Sequence, residues 1–104
     1  MQEYKVEWSL DARDDLDNCW NIVFEESCDF DTADNFVNRI IDYTEVSCKN
    51  PKNGHIIEIL NDENHREIYC EGYTIVYEIV SEQLKVVVHE VYSQRRIFIR
   101  SYKR

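Results

Sequence analysis

The sequence predicts an α+β fold, with a helical hairpin packed on one face of a mostly antiparallel sheet in the order β-α-α-β-β-β-β. Three observations predict it. The apolar pattern alternates with period two near residues 4–10, steps by three and four from residue 12 to residue 44, and returns to strand-like runs after residue 55. The two helical stretches are joined by about three residues, which makes them antiparallel neighbours. The last two runs, 73–80 and 84–92, are apolar on both faces at their centres, as inner strands are.

The elements follow in order. In "YKVEWSL", residues 4–10, Tyr4, Val6 and Trp8 alternate with Lys5, Glu7 and Ser9, the pattern of a half-buried strand. Ala12, Leu16, Cys19, Trp20, Val23 and Ser27 then form a helical stripe, with Ser9 as N-cap and Asp11 in the favourable first turn. Trp20 is expected in the core, and Tyr4 and Trp8 between the first strand and the helices. After Cys28-Asp29-Phe30, Asp31 or Thr32 is expected to cap a second helix with the stripe Ala33, Phe36, Val37, Ile40, Ile41, Thr44. Pro51 and Gly54 end it. Strands are expected at 55–60 ("HIIEIL"), 66–70 ("REIYC"), 73–80 ("YTIVYEIV") and 84–92 ("LKVVVHEVY"). Turns fall at 61–64, Glu71-Gly72 and 81–83.

A length of 104 residues suits one domain, 1–104, with its own core. The sequence has no apolar run of the ~18 residues that would span a bilayer, and its start lacks the pattern of a secretory signal. A cytoplasmic location with reduced thiols is therefore expected. Cys19, Cys28, Cys48 and Cys70 contain no C-x-x-C pair, so no metal centre is expected from them, and no cofactor motif stands out. The net charge of −9 opposes non-specific binding to nucleic acid. Five of the 12 Lys and Arg nevertheless lie in the last ten residues, where there is no Asp or Glu. This segment, Arg95, Arg96, Arg100, Lys103 and Arg104, is the cationic edge expected to meet a target.

The stretches "ARDDLDNCW", "ADNFVNRI", Pro51 with Gly54, "REI" at 66–68, "GYTIVYEI" at 72–79 and "VYSQRR" at 91–96 together resemble the ParE/RelE toxins of bacterial type II toxin–antitoxin modules. The resemblance spans about residues 3–96 and is nearer the ParE branch. It implies a cytoplasmic toxin of the plasmid-stabilisation type that inhibits DNA gyrase by binding. It further implies a cognate antitoxin as partner, hetero-oligomeric assembly with it, and no membrane. The alternatives it leaves are a ribosome-dependent mRNA endonuclease of RelE type, with ribosome and mRNA as partners, and a degenerate, non-toxic antitoxin-binding module. Thr74 stands where both branches usually carry Arg. The run 55–60 lacks the lysines of RNA-cleaving relatives, and Ser93-Gln94 replaces a common His. Thr74 and the missing lysines favour a binding inhibitor over an enzyme, whereas Ser93-Gln94 departs from the ParE-like pattern itself.

Cutting RNA through its own 2′-OH requires a base, an acid and cations for the phosphorane. Glu58, Arg66, His89, Tyr92 and Arg95 are the candidates for such chemistry, with Arg96 and Tyr102 near the same sheet end. Arg66 also has a plainer reading, as an ion pair or backbone contact at the sheet edge, and His89 as a core or hydrogen-bonded histidine on the face of Val87.

Overall fold

The structure, a computed structural model, describes residues 3–93. Strand β1 (Lys5–Trp8) leads into α1 (Leu10–Ser27) and α2 (Phe30–Ser47). Four more strands follow: β2 (His55–Ile56), β3 (His65–Cys70), β4 (Tyr73–Val80) and β5 (Lys85–Ser93). The sheet order is β1-β5-β4-β3-β2, with β1 parallel to β5 and every other pair antiparallel. The expected fold class is thus the observed one. It also places both apolar runs, β4 and β5, between neighbours.

Local chemistry explains the boundaries. The Ser9 hydroxyl accepts the Ala12 N–H at 3.1 Å and donates to His89 O at 3.2 Å, so the residue that caps α1 also ties it to β5. Cys28 ends α1 in the left-handed region (φ 55), which tightens the inter-helix link. The cap of α2 is consequently Asp29, not Asp31 or Thr32. Its carboxylate accepts the Asp31 N–H at 3.2 Å and the Thr32 hydroxyl at 2.8 Å. Between β3 and β4, Glu71 (φ 50) and Gly72 (φ 85) form the type I′ turn that matches strand twist.

Two further expectations are corrected. The run 55–60 is not one strand, because only His55 and Ile56 pair with β3. A 3-10 turn, Glu58–Leu60, follows, closed by Asn61 in the left-handed region (φ 49). Asn tolerates that conformation, and the turn leaves Ile59 91% exposed. Trp20 is also not in the main core. It stacks on Phe24 and Phe30 (centroids 5.2 and 5.9 Å) near the link between the helices, and its indole N–H donates to Asp34 at 2.7 Å. A helical stripe this long outruns the sheet beneath it, so its far end packs on its own hairpin.

The core lies between hairpin and sheet. Ala12, Leu16, Cys19 and Ile40 meet Ile75, Tyr77, Val86 and Val88 there, with Trp8 and Phe36 packed at its margin. The four cysteines are free thiols; Cys19 and Cys48 are buried, whereas Cys28 is exposed. The segment after α2 is pinned by polar contacts to buried atoms. The Tyr77 hydroxyl donates to Pro51 O at 2.5 Å, and the Arg66 guanidinium reaches three carbonyls of the flanking loops.

Candidate functional site

Only one face of the sheet is covered by the helices. The register shows what the other presents. Tyr69 pairs with Thr74 and Thr74 with Tyr92, placing these three side by side across β3, β4 and β5. Next come Glu67 and Val76, then His65 opposite Glu78. On β5 the ladder slips between Val76 and Tyr77, so that His89 is an extra residue. Such a bulge re-aims a side chain. Here His89 Nε2 comes to 2.9 Å from Glu78 Oε1, with the His65 and His89 rings stacked at 6.1 Å. Just past the bulge, the Val91 N–H finds its acceptor in Asp15 of α1, at 2.9 Å.

A second element of order surrounds His65. Its Nδ1 lies 2.8 Å from Asp62 Oδ2, and the other oxygen of that carboxylate accepts the Asn64 N–H at 2.9 Å. These two hydrogen bonds, that from Asn64 first, hold the Asp62 carboxyl below its usual range. His65 Nε2 then faces Glu78 at 3.9 Å. Among the described residues, His65, Glu78 and His89 are the group whose donor atoms come close enough to one another, within 4.8 Å, to share a metal ion.

The candidate residues scatter. His89 and Tyr92 share the open face. Arg66 belongs to the opposite face: its register partner is Tyr77, it is 9% exposed, and its Nε and Nη1 donate to Glu63 O, Lys52 O and Gly54 O. Glu58 is exposed on the 3-10 turn beyond β2. Thr74 is buried. Arg95, Arg96, Arg100, Tyr102, Lys103 and Arg104 lie outside the described residues. β5 is described as far as Ser93, opposite Tyr73.

The electrostatics of the open face are acidic. Among the described residues, its lysines are Lys5 and Lys85, paired in register at the end remote from Tyr92, and Lys85 Nζ lies 3.3 Å from Glu7. Glu7, Glu67 and Glu78 occupy the same face. A groove between α1 and the bulge adds Asp11, Asp14, Asp15 and Glu90 beside His89. His65 was missed in the sequence reading because it precedes the expected strand. The bulge that turns His89 toward it leaves no periodic signal. Glu78, a lone carboxylate inside an apolar run, was the available clue.

A helical hairpin on a five-stranded sheet with this connectivity, one face left open, defines a toxin-like α+β domain of the RelE/ParE kind. The sequence matches the family described as ParE toxin of type II toxin–antitoxin system, parDE, over residues 6–98, and the chain belongs to that family. Solved structures repeat the fold. The chromosomal ParDE toxin–antitoxin system of P. aeruginosa superposes with a TM-score of 0.69 at 14% identity, covering 88% of this chain and 96% of that one. The toxin–antitoxin complex RelBE2 of Mycobacterium tuberculosis gives 0.65 at 16% identity, with 88% and 99% covered. The isolated E. coli RelE toxin gives 0.53 at 13%, with 96% of each chain covered. Comparison with curated proteins finds no match. No described helix is long and apolar enough to cross a membrane.

Proposed function

We propose that this toxin acts as a ParE-like inhibitor that binds DNA gyrase and performs no chemistry on nucleic acid. The observation that carries this reading is the charge of the open sheet face. A nuclease site must attract a phosphate and stabilise its transition-state charge, yet the described face gathers carboxylates around its two histidines. Arg66, a described cation considered for that task, spends its donors on backbone carbonyls. Cationic contact with the target is assigned to the segment that follows Ser93, with Arg95, Arg96, Arg100, Lys103 and Arg104 as its charges.

The antitoxin is proposed to be the second partner, and its apolar anchors are assigned to the short β2 edge. Ile56, Ile59 and Leu60 are exposed there, with Tyr69 exposed on the neighbouring β3, a concentration of apolar side chains that invites an amphipathic segment folding on contact. Co-expression with such an antitoxin is expected to give a stoichiometric complex, and Ile59→Asp with Leu60→Asp to dissociate it. Target identity is tested by inducible expression in bacteria, with plasmid supercoiling and mRNA integrity followed in one culture. Loss of supercoiling with intact mRNA is expected. Cut mRNA with normal supercoiling would instead establish a RelE-like endonuclease, and neither effect a degenerate module.

A further inference from the structure

We propose that His65, His89 and Glu78 form a binding site for a late first-row divalent metal ion, of which Zn2+ is the representative, on the open face of the sheet. The cysteines pointed away from a metal, but this donor set contains none of them. Two imidazoles and one carboxylate are a donor set that zinc takes in open, three-ligand sites; magnesium and calcium prefer all-oxygen shells.

The geometry is close to what coordination needs. Ligand bonds of about 2.0–2.2 Å in a tetrahedral shell put donor atoms roughly 3.3–3.6 Å apart. Here Glu78 Oε1 is 2.9 Å from His89 Nε2 and 3.9 Å from His65 Nε2, with all three donors within 4.8 Å. Small side-chain rotations close the remaining difference, and partial exposure of all three groups leaves room for them. Binding replaces the His89–Glu78 hydrogen bond: the neutral His89 ring carries its proton on Nδ1, which leaves the Nε2 lone pair for the metal.

Orientation supplies an independent argument. Metal-bound histidines characteristically donate their other ring N–H to a carboxylate, which fixes the tautomer and raises the basicity of the ligating nitrogen. His65 has this arrangement, with Nδ1 on Asp62 and Nε2 directed to Glu78. Asp62 is itself held by the Asn64 N–H. The ligands come from the first residue of β3, the second half of β4 and the bulge of β5. A bound ion therefore clamps three adjacent strands, and its fourth position opens to solvent or to a partner's side chain.

The test is calorimetric titration of the metal-stripped full chain with ZnCl2, with Co2+ absorption as a second reading. We expect one equivalent bound, a Zn2+-dependent rise in melting temperature, and a Co2+ spectrum without a thiolate charge-transfer band. His65→Ala with His89→Ala should abolish binding while circular dichroism stays that of the parent. Asp62→Asn, which leaves every ligand in place, should weaken binding by roughly tenfold or more. Absence of binding to the parent, undiminished binding in the double variant, or a thiolate band from the cysteines would overturn the assignment. If the double variant does not fold, full-strength binding to both Asp62→Asn and Glu78→Gln overturns it equally.

Discussion

Replacing Arg66 by Met keeps the aliphatic stem and deletes every donor of the guanidinium. Three hydrogen bonds disappear, to Glu63 O (2.9 Å), Lys52 O (2.8 Å) and Gly54 O (3.0 Å). A hydrogen bond with a charged partner contributes ~1.5–3 kcal/mol, and an orphaned buried carbonyl costs ~1–3 kcal/mol. The contributions do not simply add. The first two bonds are only partly buried, so water can replace the lost donor there, whereas the bond to Gly54 O is buried and its acceptor is left unpaired. Met costs about as much side-chain entropy to order as Arg, so little of the loss is recovered there. The balance is a destabilisation of about 2–4 kcal/mol. With a urea m-value near ~1.5 kcal/mol/M for a chain of this size, the midpoint should fall by roughly 2 M. Arg66→Lys should recover part of the loss, since an ammonium lacks the guanidinium's planar fork of donors. A Met variant with an unchanged midpoint but abolished toxicity would refute the reasoning and return Arg66 to the functional surface.

Other consequences are equally concrete. A Cβ on Gly54 would sit 2.1 Å from the Tyr77 hydroxyl oxygen, so Gly54→Ala must displace that ring and its bond to Pro51, at ~1–3 kcal/mol measured by thermal melting. Trp20→Ala should cost only ~1–2 kcal/mol in the same assay, below the ~3–5 kcal/mol typical of a core aromatic, because Trp20 stacks outside the main core. Burial pushes the Cys48 thiol and the Tyr77 hydroxyl up to about 12 from 9.0 and 10.0. The unfolded chain therefore loses these protons first. Stability is fully present below about pH 9 and falls as pH rises toward 12, and Cys48→Ala with Tyr77→Phe should flatten that decline in a urea series. Charge reversal at Arg95 and Arg96 to Glu should abolish toxicity in a growth assay with the melting curve unchanged. Full toxicity would reduce that segment to solvated charge.

Much of this fold was legible because its patterns are local. Ser9, the stripe from Ala12 to Val23, the Glu71-Gly72 turn and the doubly apolar centres of β4 and β5 each declare themselves within a few residues. What escaped was set by partners distant in sequence. Ile57, Ile59 and Leu60 carry strand-forming side chains, but the ladder with β3 runs through His55 and Ile56 and ends with the Ile57 N–H on His65 O at 3.3 Å, and Asn61 turns the chain away. Trp20 has the spacing of a core residue and sits where the hairpin extends past the sheet. The His65–Glu78–His89 group required a bulge on β5 and an aspartate three residues before His65, neither of which has a period. Arg66 illustrates the converse. Its type suggested phosphate binding, and only the positions of three backbone carbonyls show where its donors go.

The central claim is that this toxin blocks gyrase by binding and leaves RNA intact. Its most direct test is a supercoiling assay with purified gyrase and relaxed plasmid, titrated with the toxin and run beside ribosomes translating a labelled mRNA. The account predicts dose-dependent loss of supercoiling that weakens as salt rises, since screening lengths are ~8–10 Å near physiological ionic strength, and full-length mRNA at every dose. Normal supercoiling together with mRNA cut on the ribosome would contradict it.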